Sequence, residues 1–172
     1  MAERSDFLET LLKGYAPYFD IERTGDDALT LPLAAKCTLH VHSEKYFLMK
    51  KAVLWNADSH EYVFLFSMPQ LSLPLYQACL GYAYEEGMAL IHPGNGHMVT
   101  YLTAVFLCDL CDPDARKALR RCRLHKNFRF ALDGWMDFHT ALIELQSGKV
   151  CTNSSGHENA GFLKKLLHYS AF

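Results

Sequence analysis

The sequence predicts an α+β fold in which one mixed, mostly antiparallel sheet carries helices on both faces. Stretches with helical apolar spacing alternate with stretches rich in β-branched and aromatic residues. The turns between the first strand candidates are short and polar, which favours antiparallel hairpins. Two of these candidates, 46–55 and 62–68, carry large apolar groups on both faces, which is typical of strands covered on both sides.

The predicted element order is α-βββ-α-β-α-βββ-α. A chain of 172 residues is long enough for one sizeable core and too short for two ordinary ones. We find no repeat, low-complexity segment or linker-like stretch in it. The sequence therefore predicts a single domain over residues 1–172.

The first half of the chain begins with a predicted helix. Ser5 is suited to cap it, and its apolar face extends to about Tyr15. Residues 20–27 are polar and predict a turn. The second helix is predicted from Ser72 to about Glu86, with a proline in its first turn. Between them lie three strand candidates, at residues 33–42, 46–55 and 62–68.

The second half alternates strands and helices. Residues 98–108 are rich in Val, Leu and Phe and predict a central strand. Asp112 followed by Pro113 is typical of a helix start. Phe128 and Phe130 are predicted to be core residues of a strand rather than a stacking platform for bases. The remaining elements are predicted strands at 128–132, 135–145 and 149–152, and a last helix at 158–169.

Composition and charge exclude some classes of protein. The formal net charge is −2, so no overall field favours nucleic acid or membrane. No apolar stretch is long enough to span a bilayer, and the first residues do not resemble a secretory signal. We therefore expect a cytoplasmic protein without a membrane partner. Its six cysteines are then expected to be reduced, buried side chains.

One cysteine pattern resembles a structural zinc site. Cys108 and Cys111 form a Cys-x2-Cys pair, and Cys122 and His125 follow at a similar spacing. However, a helix is predicted between Cys111 and Cys122, and eleven residues of helix cover roughly 16 Å. Ligands that share one zinc ion lie much closer together. The predicted helix therefore argues against a zinc site.

A second metal-like pattern is His40-Val41-His42. On a strand the two imidazoles point to the same face, as a metal pair requires. No carboxylate or further histidine at an informative spacing completes the site. We interpret both histidines as residues on the wetter face of a strand, and we predict neither a metal ion nor another cofactor.

A basic run is the third feature. No acidic residue lies between Ala115 and Leu132. Such a run is suited to phosphate groups, which makes nucleic acid or another polyanion a possible partner. It also suits a solvated helix with cations near its C-terminus. The cations are Arg116, Lys117, Arg120, Arg121, Arg123, Lys126 and Arg129.

A fourth feature consists of polar residues at every second position. If the chain is extended, Asp133, Asp137 and His139 share one strand face with Trp135. Two carboxylates and an imidazole are suited to acid–base catalysis. Polar alternation on an exposed sheet face explains the pattern equally well.

Other catalytic signatures are missing. The sequence has no P-loop, no G-x-G-x-x-G and no G-x-S-x-G motif. The order α-βββ-α-β is also that of the restriction-endonuclease-like core, which is an analogy of fold only. That active site uses an acid-x-Lys motif, whereas the corresponding strand reads Glu61-Tyr62-Val63. The sequence therefore predicts that this active site is absent.

Several segments resemble an uncharacterised family of small bacterial proteins, mainly from Firmicutes. They are 45–51, His97-Met98 with Thr100, and 124–130 leading to Gly134-Trp135. The resemblance extends from about Tyr46 to Gly156 and implies a domain of unknown function. The sequence pattern of this family includes the positions of His97, His125, Lys126 and Trp135 but not those of the cysteines. Whether His97 and His125 are structural or functional is left open.

Three hypotheses about function follow. The first is a non-enzymatic domain that acts through a protein partner or self-association, and it rests on the missing catalytic signatures. The second is binding of nucleic acid or another polyanion by the basic run at 116–129. The third is a hydrolytic enzyme that uses Asp133, Asp137 and His139.

Overall fold

The computed structural model describes residues 3–25, 30–39, 59–94, 97 and 99–170. Over these residues the elements follow the predicted order α-βββ-α-β-α-βββ-α. The helices are α1 (Arg4–Tyr15), α2 (Leu73–Ala89), α3 (Pro113–Arg121) and α4 (Asn159–Ser170). The strands are β1 (Phe19–Arg23), β2 (Leu33–Leu39), β3 (Ser59–Leu71), β4 (Val99–Cys111), β5 (His125–Asn127), β6 (Trp135–Glu144) and β7 (Lys149–Thr152).

The described strands form one mixed sheet of seven strands in the order β1-β2-β3-β4-β6-β5, with β7 also paired to β6. The pairs β3–β4 and β4–β6 are parallel, and the other four are antiparallel. β5 pairs with the first residues of β6 and β7 with its last ones, so both lie along the same side of β6. The α+β class and the mostly antiparallel mixed sheet are thus confirmed.

Helices cover the sheet on both faces, as predicted. Alternate residues of β4 point to opposite faces: Leu102 and Phe106 lie in the core beneath α2 and α3, and Val105 and Leu107 lie in the core beneath α1 and α4. α2 packs closely, because a Cβ at Gly87 would meet the side chain of Leu102 at 2.6 Å. Both core layers therefore hold the central strands in place.

Three predictions in the first half need comment. α1 begins at Arg4 with Glu3 at the cap position, so the predicted cap at Ser5 is wrong. The predicted turn at 20–27 is also wrong at its start, because β1 lies at Phe19–Arg23. β1 is an edge strand, and an edge strand tolerates polar side chains. The predicted strand at 46–55, and residues 40–42, lie outside the described part of the chain.

The predicted strand at 128–132 is also wrong. β5 ends at Asn127, and Arg129, Phe130 and Ala131 have positive φ angles of 45°, 56° and 70°. Left-handed residues cannot continue an extended strand, so the chain turns here before β6. Among the helices of the described residues, none has the length and apolar content needed to cross a membrane.

Candidate functional site

The basic run of the sequence, residues 116–129, forms the basic segment of the structure. This segment lies beside β6 and runs in the opposite direction to it. At the far end of β6, Arg116 donates from Nη2 to both carboxylate oxygens of Glu144, each at 2.7 Å. The ten residues of β6 extend over roughly 30 Å, so the cations are spread over a comparable length. Three further contacts connect the segment to β6, each closer to the amino end of that strand. They join Leu119 to Thr140, Leu124 to Phe138 and His125 to Asp137.

Five cations of this segment take part in no ion pair within the described part of the chain. Arg116 is paired with Glu144, and Arg129 lies 3.4 Å from a carboxylate oxygen of Asp133. The other five are exposed. We call these five the basic stripe: Lys117, Arg120, Arg121, Arg123 and Lys126.

Four cations of the basic stripe project from one side of the sheet. Ala115 and Leu119 are fully buried on the inner side of α3. At about 100° per residue, Lys117, Arg120 and Arg121 point away from that side. Lys126 is paired with Met136, whose side chain lies in the core beneath α3, so Lys126 projects from the same sheet face as α3. A cleft of about 540 Å³ lies beside the outer side of α3, and the cations at 116, 117, 120 and 121 line it.

Glu144 anchors the start of the segment. Only 2% of this residue is exposed, and its carboxylate also accepts hydrogen bonds from the Cys111 backbone N–H and the Ser147 hydroxyl. Burial raises the pKa of Glu144, but Ser147, the Cys111 N–H and Arg116 together hold it below its usual value. Arg116 therefore has a structural partner, unlike the basic stripe.

The turn after β5 holds three successive residues in left-handed conformation. We call residues 129–132 the tip. The Leu132 N–H donates to the Arg129 carbonyl at 3.1 Å, and the Asp133 N–H donates to the Phe128 carbonyl at 3.2 Å. The Asp133 carbonyl accepts from His97 Nδ1 at 2.7 Å. Each non-glycine residue in this conformation costs roughly 1 kcal/mol, so these contacts hold a strained turn.

The tip presents two large apolar side chains to solvent. Phe130 is 99% exposed and Leu132 is 79% exposed. The prediction that Phe130 belongs to the core is therefore wrong, because the left-handed turn points its ring away from the sheet. Phe128 does pack on the core, and its ring meets that of His97 edge to face at 5.7 Å. Leaving a phenylalanine in water forfeits about 1.5–3 kcal/mol of burial free energy.

His97 has a structural role in this arrangement. Its Nδ1 donates to the Asp133 carbonyl at 2.7 Å, and its Nε2 is hydrogen-bonded to the Thr100 hydroxyl at 2.9 Å. His97 therefore ties the turn before β6 to the start of β4.

A row of polar residues crosses the opposite face of the sheet. Strand register aligns Glu61, Tyr101, Asp137 and His125 across four neighbouring strands. Burial raises the pKa of Tyr101, and the carboxylates of Asp137, Glu158 and Glu61 raise it further. Acidic groups thus gather on this face, whereas the basic stripe lies on the other.

His125 is held by two acceptors in this row. Its Nδ1 donates to an Asp137 carboxylate oxygen at 2.6 Å, and its Nε2 donates to the Asn127 side-chain oxygen at 3.0 Å. The hydrogen bond to Asp137 raises the pKa of His125, and the bond to Asn127 acts in the same direction. Both contacts favour the imidazolium form.

The three predicted catalytic residues lie in two different places. Asp137 and His139 share the polar face, and the His139 ring stacks on that of Tyr101 at 5.0 Å. Asp133 lies in the turn, where its carboxylate is near Arg129 and its carbonyl binds His97. The structure therefore brings Asp137 together with His125 and leaves Asp133 apart. A hydrolytic role for these residues stays a prediction.

In the zinc-like pattern, the predicted helix α3 lies between Cys111 and Cys122. Cys108, Cys111 and Cys122 are buried in the core beneath α2 and α3, whereas His125 is exposed and bound to Asp137. The Cys108 thiol and Arg116 lower the pKa of Cys111. Over the described residues, no three His, Cys, Asp or Glu side chains are placed to hold a metal ion. His40 and His42 lie outside the described residues.

Sequence reasoning missed several residues of these sites. In the sequence, Glu144 is a polar residue at the end of a predicted strand. Its proximity to Arg116 arises only from the fold. Glu61 and Tyr101 are aligned with Asp137 by strand register, which no sequence motif records. Phe130 looked like a strand residue, because three left-handed residues in succession have no signal without glycine or asparagine.

Comparison with known families gives one finding. The model of a domain of unknown function, DUF8052, matches residues 3–165 of this chain. Comparison with curated proteins and with solved structures gives no match. The expected resemblance to a family of unknown function is thereby confirmed.

Proposed function

We propose that this chain, which belongs to the DUF8052 family of domains of unknown function, binds nucleic acid through the basic stripe. One observation carries the proposal. Five exposed cations lie along α3, the loop after it and β5, and none of them has an ion-pair partner in the described part of the chain. Cations without partners can neutralise phosphates and release the counterions condensed on them, which favours binding.

The shape of the stripe favours a strand-like polyanion over a membrane. If the tip entered a lipid surface, Lys117 would stand about 30 Å away along β6, because it lies near the Glu144 end. Charges interact weakly beyond a Debye length of about 8 Å at physiological salt. Most of the basic stripe would then contribute nothing to membrane binding, whereas an extended phosphate backbone reaches all of it.

A charge-reversal variant tests this proposal. Arg120→Glu/Arg121→Glu places two acids at the centre of the stripe, and both positions are exposed, so we expect the fold to be kept. We expect at least a tenfold loss of affinity for a labelled oligonucleotide in fluorescence anisotropy, because two phosphate contacts are lost and two repulsions are added.

The matched control is Lys164→Glu/Lys165→Glu on α4. It makes the same change of net charge at two exposed lysines on the opposite side of the sheet. It should bind as the parent does. Equal binding by the parent and the Arg120/Arg121 variant would sink the proposal, as would equal losses in both variants.

The second candidate function is association with a protein partner or with another copy of the chain. The exposed pair Phe130 and Leu132 supports it, because exposed apolar side chains mark interaction sites when they cluster. Light scattering over a range of concentrations tests self-association: Leu132→Asp should abolish a dimer that uses the tip. A cytoplasmic location and a bacterial origin stay predictions.

A further inference from the structure

We infer that the tip is a base-stacking site, with Phe130 as its platform, and that the nucleic acid is therefore single-stranded. The inference rests on the proposed function, since the basic stripe supplies the phosphate contacts. Phosphate contacts alone do not distinguish a single strand from a duplex, and the stacking site does. The observation behind it is a phenylalanine ring that is 99% exposed at the end of the basic stripe.

The ring is presented by a turn that is held in shape. Four backbone hydrogen bonds close the segment between Phe128 and Gly134, with N–O distances of 3.0 to 3.3 Å. The carboxylate of Asp133 contacts Arg129, and its carbonyl is bound by His97. Phe128, two residues before Phe130, is packed on the core. A platform held in this way loses little conformational freedom when a base stacks on it.

A cation near the start of the tip suits a nucleotide. Lys126 projects from the sheet face that carries α3, and its Nζ lies 6.0 Å from the centre of the Phe128 ring. It is the last cation of the basic stripe before the tip. A strand whose phosphates follow the stripe toward Lys126 would bring its next base to Phe130. Bases of a duplex are already stacked on each other, so only an unpaired base can use this ring.

The experiment separates stacking from charge with three probes of equal length. They are a twelve-nucleotide single-stranded DNA, the same strand as an abasic sugar-phosphate chain, and the corresponding duplex. Phe130→Ala should weaken binding of the single strand about tenfold, which is within the range for one stacked base. It should leave binding of the abasic chain unchanged, because that chain offers only phosphates.

Two further variants separate a stacked ring from a merely apolar one. Phe130→Trp should keep the affinity for the single strand, whereas Phe130→Leu should lose it as Phe130→Ala does. If Phe130→Leu binds as the parent does, the side chain docks on an apolar partner and the stacking inference fails. Since Phe130 is exposed, none of these variants should alter the fold, and circular dichroism checks this.

The outcomes also distinguish this inference from the proposed function. If Phe130→Ala binds the single strand as tightly as the parent does, while Arg120→Glu/Arg121→Glu still loses it, stacking is wrong and nucleic-acid binding stands. If the parent binds none of the three probes, both fail. The parent protein could instead bind tightly to vesicles rich in anionic lipid, with this binding lost in Phe130→Ala. That outcome would show that the tip binds a membrane and would contradict the stacking inference.

Discussion

The basic segment differs between the two ends of β6 in how far its side chains are paired or buried within the molecule. At the carboxyl end, Arg116 meets a buried carboxylate that also accepts two further hydrogen bonds. At the amino end, the chain leaves β5 through a strained turn and exposes Phe130 and Leu132. At one end the charged groups are paired within the molecule, and the other end presents apolar groups that nothing in the described part of the chain covers.

This contrast divides the basic run into two kinds of cation. Arg116 stabilises the fold, because it neutralises a charge that would otherwise be buried alone. The cations of the basic stripe are exposed and form no ion pair in the described part of the chain. A run of like charges in a sequence can thus contain both structural and binding residues, and the location of the acids decides which are which.

The largest effect is expected at the anchored end. Glu144→Gln removes the charge that Arg116, the Cys111 N–H and Ser147 all contact. Breaking a buried pair by removing one partner is strongly destabilising, so we expect the free energy of unfolding to fall by roughly 3 kcal/mol. Urea denaturation measures it. Glu9→Gln, at the exposed pair with Arg23, is the control and should cause no measurable change.

The pH dependence of the same pair has a definite sign. Because the folded-state pKa of Glu144 lies below 4.5, its contribution is complete above that value and is lost as the pH falls through the lower, folded pKa. The stability difference between the parent and Glu144→Gln should therefore shrink in acid. A difference that stays constant down to pH 2 to 3 would show that Glu144 does not act through its charge.

The sequence predicted the architecture well and the sites only in part. Apolar spacing predicted the four helices of the described residues, and apolar residues on both strand faces predicted a sheet covered on both sides. The Asp112-Pro113 start correctly predicted α3, which lies between Cys111 and Cys122. Spacing does not reveal strand neighbours, so the row from Glu61 to His125 and the pairing of Arg116 with Glu144 could not be foreseen.

A smaller effect is expected at the strained end. Ala131 has a φ of 70°, which costs alanine roughly 1 kcal/mol and glycine almost nothing. Ala131→Gly should therefore raise the free energy of unfolding by about 0.5 kcal/mol, after the extra flexibility of the unfolded chain is subtracted. Ala118→Gly in α3 is the control and should lower it by up to about 1 kcal/mol. Destabilisation by both would mean that the turn is not strained.

The smallest effect concerns His125, an exposed cation whose partner Asp137 is half-buried. Asp137→Asn should move the pKa of His125 down toward 6.5, because the carboxylate that favours the imidazolium is removed. In the parent, this pair stabilises the fold fully below pH 6.5 and loses its contribution as the pH rises through the higher, folded pKa. Titration of the imidazole by NMR measures the shift. Asp133→Asn should leave the pKa of His125 unchanged.

The most direct test of the central claim is a salt titration of single-stranded oligonucleotide binding to the parent protein. If the basic stripe neutralises three to five phosphates, the logarithm of the association constant should fall linearly with the logarithm of salt concentration. The slope should lie between about −2 and −4, because each phosphate contributes about −0.7. No binding at low salt, or a slope near zero, would contradict the account.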